Sequence, residues 1–207
     1  MTGCLFYGKG KWDKFVHAIF YLLDPSTTLG AGKKQLAFSD VRKFGKITLL
    51  NTKEAYESKH LKNLGPEPLE KQFTINNFKL RIKTKPNTKI KTVLLDQTII
   101  AGIGNIYSDE ILWQAGIHPK RKVSQITEPE LKKIFRAMKT TLQKGIDFGG
   151  DSNSDYLNIY GLPGKFQLHH NAYQRAGEKC RKYGCGGVIM REVINSRSAH
   201  FCSRHQI

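Results

Sequence analysis

The feature that most constrains the fold is a set of four candidate metal ligands near the carboxyl end of the chain. Cys180 and Cys185 are separated by four residues, and Cys202 and His205 follow at C-x-x-H spacing. The two pairs flank a predicted β-hairpin over residues 188–201, which would let them converge. Three thiolates and one imidazole predict a single tetrahedral zinc ion. Because four protein ligands leave no position for an activated water, we expect this zinc to be structural.

Other uses of these cysteines stay open at this point. Two disulfides or ordinary reduced thiols are alternatives, but three clustered thiols cannot pair evenly and no secretory signal precedes them. Four residues between the first two ligands is wider than usual but within the range that zinc tolerates. His200 competes with His205 for the fourth position. Cys4 lies in an apolar run, and we expect it in the core.

The charge balance narrows the partner. The chain has 207 residues with 34 Lys and Arg against 17 Asp and Glu, giving a formal net charge of +17. Such an excess is typical of proteins that displace counterions from phosphates, although it also serves general solubility. The longest early apolar run, 15–23, is too short to cross a membrane and ends at Asp24-Pro25. We therefore expect a cytoplasmic protein that binds nucleic acid and no membrane.

The apolar pattern divides the chain into zones and predicts an α+β fold. Alternating runs predict strands over residues 4–7, 15–23, 35–38 and 46–50 in the zone 1–74. Helical spacing follows in the zone 75–148. A Gly-rich polar stretch, 149–164, has the composition of a mobile loop within the zone 149–172, and the zone 173–207 holds the hairpin.

A second chemical signal lies in the helical zone. Gly102 and Gly104 precede Asn105, which we expect to cap a helix whose free N–H groups attract a phosphate. The segment lacks the third glycine and the ribose-binding acid of a dinucleotide site.

Several ordered motifs resemble the bacterial formamidopyrimidine-DNA glycosylase family, relatives of endonuclease VIII. The segment 101–107 with Glu110 and Gly116-Ile117-His118-Pro119 is similar to that family's helix-two-turn-helix motif. The remaining matches are Met1-Thr2-Gly3, Asp40-Val41-Arg42-Lys43-Phe44-Gly45, residues 64–69, Tyr173-x-Arg175-x-Gly177-x-x-Cys180, and Arg197 before Cys202.

The resemblance implies a domain and a role for each zone. Residues 1–74 would be part of an N-terminal β-sandwich, 75–148 a helix-two-turn-helix domain, 149–172 a lesion-capping loop and linker, and 173–207 a zinc finger of the ribbon type. The partner would be double-stranded DNA with an oxidised purine or an abasic site, bound by a monomer at the bacterial nucleoid. The loop 149–164 would fold over the everted base.

The resemblance also implies the DNA-contacting residues. Met1, Arg42 and Phe44 would fill the gap left by a flipped-out nucleotide, because an apolar wedge offsets lost stacking and arginine can bond the orphaned base. Asn105 and Arg197 would hold the flanking phosphates. Tyr173 would assist from the segment before the hairpin.

One departure bears on activity. The family's chemistry uses an N-terminal proline as nucleophile, followed by a glutamate and later a lysine. This chain begins Met1-Thr2-Gly3, so we expect no catalytic residue in it and impaired activity of the chain alone. Three interpretations follow. The chain is part of a bifunctional DNA glycosylase and AP lyase for oxidised purines, or a non-catalytic binder of damaged or distorted DNA on the same scaffold, or an unrelated zinc-ribbon protein that binds RNA or the ribosome.

Overall fold

The computed structural model describes residues 3–8, 14–22, 34–59, 61–153 and 156–207. They form two compact units. The first unit is Met1–Leu49 with Gly145–His169, and the second is Leu50–Lys144 with His170–Ile207. Met1 and Ser154 lie outside the described residues.

The first unit contains a three-stranded antiparallel sheet with strands β1 (Gly3–Gly8), β2 (Val16–Leu22) and β3 (Lys34–Asp40) in the order β1-β3-β2. The central strand β3 buries Ala37 completely, and Cys4 on β1 is buried as predicted. Three of the four predicted strands are thus confirmed.

The fourth strand prediction, over residues 46–50, is wrong. This segment is irregular and exposed, and Leu49 is 99% accessible. The segment has the alternating apolar pattern, but it pairs with no other strand in the described structure. Without a pairing strand and a buried face, alternating apolar residues do not stabilise a β-strand.

The second unit is built on four helices: α1 (Ile75–Lys83), α2 (Ile90–Leu94), α3 (Asn105–Ala115) and α4 (Glu128–Asp147). The last three residues of α4 belong to the first unit. A capping box between Thr74 and Asn77 starts α1. Gly116, at φ 74°, ends α3 in the left-handed conformation that glycine adopts without strain. The predicted apolar positions form one core that includes Leu94, Ile111, Leu112, Leu131, Ile134 and Met138.

The predicted hairpin is confirmed as strands β4 (Ile189–Ile194) and β5 (Arg197–Cys202). Asn195 and Ser196 connect them with φ of 47° and 62°, the pair of positive values that a tight two-residue hairpin turn requires. Buried Ala172, Ile189 and Cys202 pack with Trp113, so the hairpin lies against α3. The strands, helices and hairpin confirm the predicted α+β class.

In the described part of the chain, no helix combines the length and the apolar character that crossing a bilayer requires.

Candidate metal centre and nucleic-acid interface

The four predicted metal ligands converge. The Sγ atoms of Cys180, Cys185 and Cys202 and a ring nitrogen of His205 all lie within 4.8 Å of one another. Cys180 Sγ is 3.4 Å and Cys185 Sγ 3.6 Å from His205 Nδ1, and Cys185 Sγ is 3.5 Å from Cys202 Sγ. No disulfide joins them. A tetrahedral ion with Zn–S bonds near 2.3 Å places its ligands roughly 3.8 Å apart along each edge, so the cluster has the dimensions of a metal site.

His205, rather than His200, faces the thiols, which answers the question that the sequence left open. Its Nε2 lies 3.0 Å from the Trp113 carbonyl oxygen, so Nε2 carries the hydrogen and Nδ1 presents its lone pair to the cluster. The ring of His200 instead hydrogen-bonds Asp109.

Buried charges of α3 hold the hairpin. The Asp109 carboxylate, 1% exposed, forms a very short ion pair with the ammonium of Lys91, which is completely buried and also donates to the Ser198 carbonyl at 2.9 Å. The other Asp109 oxygen accepts from the His200 backbone N–H at 2.9 Å. Burial lowers the pKa of Lys91, and the adjacent carboxylate opposes that shift. This network joins α2, α3 and β5.

The neighbouring Glu110 organises the segment before the hairpin. Its carboxylate, buried to 3% exposure, accepts the backbone N–H groups of Asn171, Ala172 and Tyr173 at 2.8 to 3.0 Å, and also the Asn171 side-chain amide at 3.2 Å. Tyr173, a predicted DNA-contacting residue, is thereby fixed at its backbone. Its ring packs edge-on against His200 and His170.

Asn105 occupies a different position from the one predicted. Gly104 is the N-cap of α3, no side chain caps this end, and Asn105 is the first helical residue. Its Oδ1 atom is buried without a hydrogen-bond partner. The prediction of a capping role was wrong because the extended backbone that a cap requires is supplied by the glycine, and the Asn105 amide does not serve the helix.

Arg197 is exposed at the first position of β5, beside the hairpin turn. The turn is attached to α2, because Asn195 Nδ2 donates to Thr92 Oγ1 at 3.0 Å. The hairpin therefore presents the Arg197 guanidinium at the end opposite to the metal ligands.

Arg42 and Phe44 lie on a turn directly after β3. Asp40 is only 2% exposed. Its carboxylate accepts hydrogen bonds from the backbone N–H of Arg42 at 3.2 Å and from that of Gly45 at 2.6 Å. Phe44 is 78% exposed, and the Arg42 guanidinium carbon lies 5.6 Å from its ring centroid. A buried carboxylate thus holds an exposed aromatic side chain and an arginine side by side. Met1, predicted to act with them, is outside the described residues.

The predicted capping loop closes at its base. The backbone N–H of Lys165 donates to the Phe148 carbonyl oxygen at 2.8 Å, and that of Phe166 donates to the Gly150 carbonyl oxygen at 3.0 Å. The backbone N–H of Gly164 donates to Ser152 Oγ at 2.7 Å. A Cβ on Gly164 would lie 2.1 Å from the Gly150 carbonyl oxygen, so glycine is needed for this close approach. Within the same unit, Tyr7 N–H donates to Ile159 at 2.6 Å, which attaches the loop to β1.

The structure therefore divides the predicted site residues between the units. Asn105, Tyr173, Arg197 and the four candidate metal ligands lie in the second unit, and Arg42 and Phe44 lie in the first. Sequence reasoning gave no role to Asp40, Lys91, Asp109, Glu110 and Trp113. The sequence did contain a signal that Asp109 and Glu110 are buried. They lie between Ile106 and Ile111 on a helix with apolar residues on several faces.

Comparison with known proteins agrees with this geometry. Residues 64–156 match the formamidopyrimidine-DNA glycosylase H2TH domain. The chain is 40% identical over 194 residues to the formamidopyrimidine-DNA glycosylase of Bacillus subtilis, covering 94% of the chain and 66% of that protein. It is 42% identical over 208 residues to the enzyme of the same name from Prochlorococcus marinus, covering 100% of the chain and 68% of that protein.

A solved structure of Lactococcus lactis Fpg with DNA containing an abasic site superposes with a TM-score of 0.83 at 33% identity, covering 98% of this chain and 70% of that one. Another, of the same protein with Fapy-dG containing DNA, gives 0.81. The chain thus spans about two thirds of the length of these relatives.

The helices and the hairpin define a helix-two-turn-helix protein whose C-terminal hairpin carries a Cys3His cluster that could hold a metal ion. The chain belongs to the formamidopyrimidine-DNA glycosylase family.

Proposed function

We propose that this protein binds duplex DNA at an abasic site or an oxidised purine, as the DNA-binding part of a base-excision repair glycosylase and AP lyase. The observation that carries the proposal is the turn after β3, where buried Asp40 holds exposed Phe44 beside Arg42. An exposed ring beside a guanidinium has the chemistry that a gap in stacked DNA requires, because the ring can stack on the neighbouring bases and the arginine can hydrogen-bond the unpaired one. The relatives solved with abasic-site and Fapy-dG DNA support the same partner.

We propose phosphate contacts for the second unit. Asn105 is the first residue of α3, and no side-chain hydrogen bond caps this end of the helix. Its Nδ2 would donate to a phosphate near the N-terminus of α3, where the helix dipole also favours an anion. Exposed Arg197 would contact a phosphate from the hairpin turn, and Tyr173 would contribute from the segment that Glu110 fixes.

We also propose that the Cys3His cluster holds one structural zinc ion. The ligands fit it, because three thiols and an imidazole whose other nitrogen is hydrogen-bonded make a complete donor set at tetrahedral spacing. When bound, the ion would supply no chemistry to DNA and would hold the open end of the hairpin closed.

The binding proposal is tested by fluorescence anisotropy with an intact duplex, a duplex with a tetrahydrofuran abasic analogue, a duplex with 8-oxoguanine, and an RNA duplex. We expect the abasic duplex to bind more tightly than intact DNA and RNA. Arg42→Ala and Phe44→Ala should each reduce that preference about fivefold or more, since a stacking contact contributes about 1 to 3 kcal/mol.

Leu49→Ala is the matched control, because it removes an apolar side chain that is even more exposed than Phe44 and lies five residues further along the same irregular segment. If Arg42→Ala and Phe44→Ala weaken binding to intact and abasic duplexes equally, the turn is not a wedge. Tighter binding to RNA would favour the RNA-binding alternative.

The activity part of the proposal is tested separately by borohydride trapping on an 8-oxoguanine duplex. A covalent adduct demonstrates an imine-forming amine in the protein assayed. Specific binding to abasic DNA without an adduct favours the alternative of a non-catalytic binder on the same scaffold.

A further inference from the structure

Trp113 touches the metal cluster through two separate groups. It lies three residues before the glycine that ends α3, half-buried against the small apolar cluster that includes Ala172 and Ile189. Its indole Nε1–H donates to Cys180 Sγ at 3.3 Å, and its backbone carbonyl oxygen accepts from His205 Nε2 at 3.0 Å. Its ring also meets the imidazole edge-on, with centroids 5.4 Å apart at 89°. One residue of the helical core thus contacts two of the four candidate ligands.

Each contact has a defined consequence for a metal ligand. An N–H donor aimed at the Cys180 sulfur fixes the direction of the remaining sulfur lone pairs, which are the ones that a metal ion would use. The carbonyl oxygen keeps the hydrogen of His205 on Nε2, so that Nδ1 is free to bind metal. Both contacts come from one residue near the C-terminal end of α3.

We propose that Trp113 is a positioning residue of the metal centre, whose indole N–H orients the Cys180 sulfur toward the other candidate ligands. The proposal rests on the proposed zinc. It differs from simple core packing, because packing requires only the ring, whereas this role requires the N–H group. Trp113→Phe separates the two, since phenylalanine retains an aromatic ring and lacks the donor.

The experiment measures zinc affinity by competition with a chelator, and the absorption spectrum of the cobalt-substituted protein. We expect Trp113→Phe to bind zinc about 10- to 100-fold more weakly, the usual effect of losing an outer-shell hydrogen bond. The thiolate-to-cobalt charge-transfer band should shift, because the Cys180 sulfur loses its hydrogen bond. Trp12→Phe is the matched control, since it makes the same substitution at the chain's other tryptophan and should leave both readings unchanged.

A Trp113→Phe affinity within twofold of the wild type, with an identical cobalt spectrum, overturns the inference while leaving the zinc proposal intact. Wild-type protein that binds no zinc overturns the zinc proposal itself. If Trp113→Phe does not fold, the Trp12→Phe protein supplies the test, because Trp113 is then its only tryptophan. Zinc removal should change that emission, and an unchanged emission spectrum would contradict the contact with Cys180.

Discussion

Replacing Glu110 by glutamine removes the charge that holds the segment before the hairpin and keeps the side chain's size. The wild-type carboxylate accepts four N–H groups: three from consecutive backbone amides of residues 171–173 and one from the Asn171 side chain. Glutamine offers one oxygen, which can accept about two hydrogen bonds, and turns an NH2 group toward the other donors. At least two N–H groups therefore lose their partner.

The cost follows from this count. A buried donor left without a partner costs about 1 to 3 kcal/mol, which gives roughly 2 to 6 kcal/mol for two. Water reaches the partly exposed Asn171 and Tyr173, so we expect the lower part of that range, about 2 to 4 kcal/mol. This loss lowers the free energy needed to open the segment locally, so its amide hydrogens should exchange about 30- to 1000-fold faster.

Amide hydrogen exchange followed by NMR measures this directly. In Glu110→Gln the amides of residues 171–173 should exchange faster, whereas that of Ile134, in the buried core of α4, should not change. Glu178→Gln is the matched control: it makes the same chemical change at a carboxylate that is 54% exposed and paired with Arg175, where a loss of about 0 to 1 kcal/mol is expected. Equal exchange rates in wild type and Glu110→Gln, or the same small change in both variants, would refute the reasoning.

Arg197→Ala should weaken DNA binding by about 1 to 3 kcal/mol and lower the slope of log affinity against log salt concentration by about one. Arg197→Lys should recover part of the affinity, because an ammonium keeps the charge and lacks the guanidinium geometry. An unchanged slope in a salt titration would mean that Arg197 does not contact a phosphate. Cys202→Ser should abolish stoichiometric zinc in metal analysis while His200→Ala retains it, because His200 faces Asp109; the reverse pattern would reassign the fourth ligand. Hydrogen bonds from Arg121 lower the pKa of Glu130 from 4.5 to about 2. This carboxylate therefore stabilises the fold above pH 4.5, and the contribution is lost as the pH falls through about 2. The melting temperatures of wild type and Glu130→Gln should accordingly converge between pH 4.5 and 2, and a constant difference would exclude this linkage.

The sequence predicted features that depend on local pattern. Ligand spacing identified Cys180, Cys185 and Cys202, and alternating polarity identified β4 and β5, because both signals are set within a few residues of chain. The C-x-x-H spacing favoured His205 over His200, but the contacts that decide between them come from Trp113 and Asp109 on a distant helix.

Buried polar residues were the main omission. Lys91, Asp109 and Glu110 are charged residues of types that usually face solvent, yet each is 3% exposed or less. Only the folded chain shows that their partners come from residues 171–173, Ser198 and His200. The roles of Arg42, Phe44, Asn105, Tyr173 and Arg197 in DNA binding stay predictions until a variant is measured.

The three anchor points that α3 supplies to the C-terminal segment make that segment dependent on the helix. Asp109 binds β5, Glu110 binds the backbone of residues 171–173, and Trp113 binds two candidate ligands. A peptide of residues 173–207 would have the donor set of a self-folding zinc finger but none of these three partners. Grafting this segment onto another protein would therefore require grafting α3 with it, because the helix supplies all three partners.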